Sequence, residues 1–310
     1  MQMRSILPLG IVAGMASALL LAAIQTGSAI AIPLFLLASL PIALAGLAWG
    51  SYTAAIGAVA AAVAWALAVG PQAGVEVFVL TTAPMAWITN LLGLSRDPGG
   101  KREWYPLGQV LLQAAVIAAG GLIIVGVVSG FDPDQLAAEA TIAIQSNIAT
   151  GQLPLVTASQ IETVTRFYVT ALPYLAAAGA LALMVLNAWL AALLLDSAGR
   201  LKRPRTPLWT AGLPRAAAYV LIAAMAATLL SGVAGAAAAA IVGAFGFAYA
   251  LAGLGVLHAV TLGRDSRALV LFITYVSILF FGISLIIAAL VGIVDSFYRL
   301  RAPQSPPLSS

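Results

Sequence analysis

The chain of 310 residues contains no cysteine, one histidine and a charged fraction of only 8%. Without cysteine there are no disulfides, thiolate metal ligands or cysteine nucleophiles, and a single histidine cannot build a histidine metal cluster. G-x-x-x-x-G-K-[ST], G-x-S-x-G and H-E-x-x-H are all missing, which argues against a P-loop, a nucleophile elbow and a zincin site. The only close carboxylate pair lies in FDPD, where Pro133 marks a turn. No enzymatic activity, cofactor or metal is therefore expected. Ionisable residues are also scarce within the apolar runs, where a proton-driven pump would carry a carboxylate.

What the chain does have is hydrophobicity, at 62% of residues and a mean hydropathy of +1.06. Soluble domains are about one quarter charged, so the composition is that of an integral membrane protein. Apolar stretches near the ~20 residues that cross a bilayer predict an all-α polytopic transmembrane helical bundle. Nine candidate spans fall at 6–25, 30–48, 52–69, 75–94, 107–129, 168–195, 212–232, 238–262 and 268–294. The first is too long for a signal-peptide core and is read as an uncleaved helix. Pro33 and Pro41 each remove a backbone donor from the second, which is expected to break or only to dip into the bilayer. The organisation is a five-span part over 1–129, an amphipathic loop over 130–167, and a C-terminal part over 168–310.

Cations orient such a bundle, since cytoplasmic loops keep the excess of Lys and Arg. With the N-terminus inside, that side takes Arg4, Arg96, Lys101, Arg102, Arg200, Lys202, Arg203, Arg205, Arg215, Arg264 and Arg267. Arg166, Arg299 and Arg301 fall opposite if there are nine spans. Eight spans, or a last helix that turns back, return Arg299 and Arg301 to the basic side. The basic RLKRPR loop is too short and too close to the membrane to favour nucleic acid over lipid headgroups. The bilayer is thus the expected partner.

Residues 135–148 and 157–167 carry helical patterns in the one long polar loop, with Thr157 or Ser159 as a cap and Glu162 completing a capping box after Ser159. The loop reads either as an interfacial surface segment or as a lid. Beneath it gather Gln25, Thr26, Gln72, Glu76, Arg166, Tyr168 and Tyr174, of which Gln25, Glu76, Arg166, Tyr168 and Tyr174 are the candidate solute contacts. Pro84 and Pro173 could bend helices around such a pocket. Deeper in the bundle, Asn187 lies nine residues before Asp196, about 13 Å along a helix. Asn90, Gln109 and Gln113 sit at comparable depth, so Asn187 is expected to staple helices through one of them or to touch a ligand. His258, near a span end, suits interfacial packing better than a proton relay. Gly10, Gly14, Ala18 and Ala22 form a small-xxx-small stripe for close helix approach, either within the bundle or against a membrane protein partner.

Two motifs carry a family resemblance. LNAWLAALLLDSAGR at 186–200 and GIVDSFYRLR at 292–301 resemble signatures of the YybS-like family of bacterial membrane proteins, which has no established activity. The likeness implies a bacterial inner membrane and supplies no catalytic residues. The small-residue first helix, the proline-broken second segment and WGSYTAAIGA are loosely similar to substrate-binding subunits of energy-coupling-factor transporters, in which a small-residue face docks a membrane partner. The extra C-terminal spans depart from that six-helix pattern. Two functions follow as expectations: binding or translocation of a small solute with energy from a partner, or a non-transporting scaffold organising other membrane proteins through the stripe.

Overall fold

The computed structural model describes residues 3–100, 102–149 and 157–301. Lys101 and the Arg4 side chain, both used in the orientation reading, lie outside the described residues and side chains, as do loop residues 150–156 and the tail from 302 onward. The regular secondary structure of the described chain is helical apart from one two-stranded hairpin.

Helix α1 (Met3–Ala22) packs against α4 (Ser51–Ala68). Between them the second candidate span is divided into α2 (Ala31–Leu36) and α3 (Leu40–Trp49). Pro33 and Pro41 occupy the first turns of these two short helices, where a missing N–H costs nothing. The fourth span comprises α5 (Pro71–Val77), a π-helical turn at Phe78–Thr82 and α6 (Ala83–Gly93). Pro84 lies just after the π turn, which supplies the local irregularity there. Strands β1 (Ser95–Arg96) and β2 (Glu103–Trp104) pair antiparallel and lead into α7 (Leu107–Ser129).

The long polar loop contributes α8 (Pro133–Ala149) and then joins the sixth span without interruption. Helix α9 (Ala158–Ser197) has 40 residues, or about 60 Å, twice the hydrocarbon thickness of a bilayer. The boundary expected at 167/168 therefore falls inside one helix. Thr157 caps α9, and the reciprocal partner of the capping box is Gln160 rather than Glu162. Helix α8 packs on the protruding part of α9, where Arg166 reaches Asp134 at 3.5 Å and Glu162 at 3.4 Å.

The C-terminal part continues with α10 (Arg215–Ala227), α11 (Gly232–Val260), α12 (Arg267–Phe280) and α13 (Ile283–Tyr298). The ninth candidate, 268–294, is thus not one helix but two short ones broken at Phe281–Gly282. Among the described residues, seven helical segments, some of them interrupted, are long and apolar enough to cross a membrane: Ile6–Thr26, Ala31–Trp49, Ser51–Ala68, Pro71–Gly93, Leu107–Ser129, Ala158–Ser197 and Gly232–Val260. The chain is an all-α, multi-pass membrane bundle. A single core of buried residues runs from Ile42 and Met85 through Ala115 and Leu181 to Tyr249, uniting the N- and C-terminal parts.

Several contacts define one basic face. Arg203 donates to the Tyr105 carbonyl at 3.0 Å, Arg200 lies 5.1 Å from the Trp49 ring centroid, and Arg301 donates to the Trp209 carbonyl at 2.6 Å. Arg215 in turn bonds the carbonyls of Ser296 and Phe297. The chain end therefore folds back beside the loop over 198–214, and Arg299 and Arg301 join the basic face. The opposite end carries α8, Glu76 and Arg166. The lack of native cysteine makes this arrangement directly testable with single cysteines. Asp97→Cys and Leu300→Cys are expected to react with an impermeant maleimide from one side of the membrane and Glu139→Cys from the other. Leu300→Cys reacting with the Glu139→Cys side would contradict it.

Candidate functional site

The division of the second span leaves main-chain carbonyls without helical partners inside the bundle. At the break, Leu40 N–H bonds the Leu37 carbonyl, three residues back, and so does not serve Leu36. In an apolar slab a freed carbonyl needs another donor. Two side chains supply donors here. Asn187 Nδ2 donates to the Leu36 carbonyl at 2.9 Å and also to Leu183, its own helix, at 2.9 Å. Ser17 Oγ of α1 donates to the Ala38 carbonyl. Asn187 and Ser17 are both fully buried, and Ala38 and Ser39 nearly so. Three segments distant in sequence thus meet at one polar point: Ser17, residues 36–39 and Asn187.

The Asn187 amide has a remaining group. Its Oδ1 is buried and has no hydrogen-bond partner among the described residues. An unpaired buried acceptor is costly, about 1–3 kcal/mol, and is the kind of group that a donor from a ligand satisfies. The expected amide partners are not the ones used. Gln113 instead accepts from Trp87 Nε1 at 2.8 Å and donates to the Tyr105 hydroxyl at 3.0 Å, tying α6 and the hairpin to α7. Asn90 and Gln109 are half-buried and make no side-chain hydrogen bond among the described residues.

The five candidate solute contacts are not brought together. Gln25 is exposed in the turn after α1, and Tyr168 is exposed beside Phe167. Glu76 accepts from Gln72 at 3.0 Å, while Arg166 is occupied by Asp134 and Glu162. The main chain at Tyr174 packs against Gly243 of α11. A groove of about 240 Å³ does open at this end between α7, α9 and α11, beside Pro173. Its walls, including Leu122, Phe131, Leu172 and Ala236, are almost wholly apolar, and none of the five candidates lines it. Polar pockets need convergent polar groups, which this groove lacks.

The stripe on α1 is used inside the bundle. A methyl added to Gly10 would meet Ile56 and the Thr53 carbonyl, and one added to Gly14 would meet the Gly57 carbonyl and Ala60. Ala18 is buried and Ala22 half-buried on the same side.

On the basic face, Asp295 in the last turn of α13 is buried and paired with Arg301 at 2.9 Å, with side chains only 8% and 13% exposed. Arg301 also donates to the Ala252 carbonyl at 3.0 Å. His258 stacks on Trp209 with ring centroids 6.3 Å apart and lies 2.7 Å from the Tyr275 hydroxyl, a packing role that closes α11 onto the loop over 198–214 and α12. Asp295 six residues before Arg301, around a turn, was the sequence signal for this pair.

Comparison with known proteins adds no identity: no family model, no curated protein and no solved structure matches the chain.

Proposed function

We propose that this multi-pass membrane protein binds and translocates a small polar solute, with Asn187 at the break in the second span as its principal contact. The single observation that carries the reading is the unpartnered Asn187 Oδ1 beside carbonyls released by a discontinuous helix. Transporters use helix breaks near mid-membrane in this way, because unwound backbone and one fixed side chain can replace a solute's hydration without an ionised group. The acceptor Oδ1 selects a solute that presents an N–H or O–H donor. Movement of the six-residue α2 about residues 37–39 gives that solute access, and a partner supplies the energy. The YybS-like segment at 186–200 contains Asn187 itself, which fits a bacterial inner-membrane protein of that type.

The scaffold reading has less support, since Gly10 and Gly14 are already covered by α4. A thermal-shift screen of polar metabolites on the purified protein tests the solute reading. Asn187→Leu is expected to lower intrinsic stability by about 1–3 kcal/mol, because the Leu36 carbonyl loses its donor, and to abolish every solute-induced shift. Ser17→Ala is expected to lower stability while keeping the shift. A ligand that stabilises wild type and Asn187→Leu equally would sink the proposal.

A further inference from the structure

Several cations of the basic face pair with carboxylates or lie over aromatic rings, and Arg203 does neither. Arg96 pairs with Glu103, Arg205 with Asp196 and Arg301 with Asp295. Arg102, Arg200 and Arg215 lie over the rings of Trp104, Trp49 and Phe297. Arg203 is half-buried, bonds only the Tyr105 carbonyl and has no carboxylate paired with it among the described residues. Burial pushes its pKa below the ordinary arginine value, a sign of the cost of withdrawing an uncompensated cation from water.

This guanidinium forms part of the wall of a cleft of about 490 Å³ between the start of α7 and the loop over 198–214. Gln109, Thr206 and Thr210 line the same cleft, with Trp104 and Gly212 at its sides. The loop wall is shaped locally: Thr206 bonds the Pro204 carbonyl at 3.4 Å and Thr210 the Pro207 carbonyl at 2.8 Å. The Gln109 amide has no partner among the described residues and is free to donate into the space. Glu103, Asp196 and Asp295, acidic groups of the neighbouring segments, are paired with Arg96, Arg205 and Arg301. The cleft therefore holds one uncompensated positive charge, further favoured for anions by the positive end of α7.

We propose that this cleft is a binding site for a phosphate group, held by the planar fork of Arg203 and by the Gln109 amide. A guanidinium fork matches two phosphate oxygens at once, and charge-assisted hydrogen bonds of this kind are stronger than neutral ones. The phosphate belongs either to an anionic lipid headgroup, which the position beside Trp104 at the end of a span allows, or to a soluble phosphate compound. The site is separate from the Asn187 break and does not depend on that reading.

The test is binding of phosphatidylglycerol, diacylglycerol of the same acyl chains and inorganic phosphate to the full chain in detergent, read by native mass spectrometry and thermal melting. Wild type is expected to prefer phosphatidylglycerol over the phosphate-free diacylglycerol by at least about tenfold, as loss of a charge-assisted bond implies. Arg203→Gln is expected to lose that preference, Gln109→Leu to weaken it, and the exposed-site control Arg264→Gln to keep it. Stabilisation by inorganic phosphate that needs Arg203, without a lipid preference, identifies the soluble source and still supports the site. If Arg203→Gln fails to fold, Gln109→Leu decides, because it leaves the Tyr105 contact in place. Equal binding of the two lipids without an Arg203-dependent stabilisation by inorganic phosphate, or equal losses in Arg264→Gln and Arg203→Gln, overturns the proposal.

Discussion

Gly14→Leu is expected to unfold the N-terminal half of the bundle, with a stability loss of at least about 3 kcal/mol, the upper end of what overpacking usually costs. Gly14 is buried, and any side chain there runs into the main chain of α4 at Gly57 and Ala61. Backbone cannot rotate out of the way as a flexible side chain can, so the helices must separate. Separation would expose no apolar surface to water inside a bilayer, and the penalty is lost close packing rather than lost hydrophobic burial. It also strains the bond from Ser17 to Ala38, because Ser17 lies one turn further along α1. Thermal melting in mild detergent and monodispersity on gel filtration measure the effect. A folded Gly14→Leu protein that has lost only an associated protein would restore the scaffold function instead.

The second large effect is expected at the other end of the bundle. Asp295→Ala leaves Arg301 buried against the Trp209 and Ala252 carbonyls with its counter-charge removed. Breaking a buried ion pair by deleting one partner typically costs about 3–5 kcal/mol, far more than the net worth of the intact pair. The loss is expected to appear as lower thermal stability and as proteolysis near residues 209–215, since Arg301 ties the chain end to that loop. Asp295→Ala combined with Arg301→Met removes both charges and is expected to recover most of the stability. A double variant no more stable than Asp295→Ala would show that the destabilisation comes from impaired packing rather than from an unpaired charge.

Much of the architecture was legible because its cause is local. Apolar length marks a span wherever it occurs, and the prolines at 33 and 41 announced the divided second helix. The stripe at Gly10 and Gly14 likewise announced a close helix contact, although its partner, α4, could not be read from one helix alone. Hydropathy could not reveal that 268–294 breaks at Phe281–Gly282, because both halves remain apolar. Nor could it join residues 157–167 to the sixth span, where a polar exposed stretch and an apolar one share a single continuous helix.

The polar contacts were less legible, and for one physical reason: several depend on long-range main-chain acceptors, which carry no side-chain signature. Asn187 was conspicuous as an amide in an apolar run, yet its partner is the carbonyl of Leu36, 151 residues away. A carbonyl is freed by the fold and not by residue type, so the amides at 90, 109 and 113 looked like the better partners. The candidate solute residues failed to converge for the opposite reason. Arg166 and Glu76 each have an acidic or amide neighbour four residues away on the same helical face, and those local partners engage them first.

The most direct measurement is untargeted mass spectrometry of the small molecules that co-purify with wild type and with Asn187→Leu, at matched amounts of folded protein. The account predicts a polar, donor-bearing compound at near-stoichiometric level in wild type and its loss from Asn187→Leu. The same compound retained at the same level by Asn187→Leu, or no bound polar compound in wild type, would contradict it.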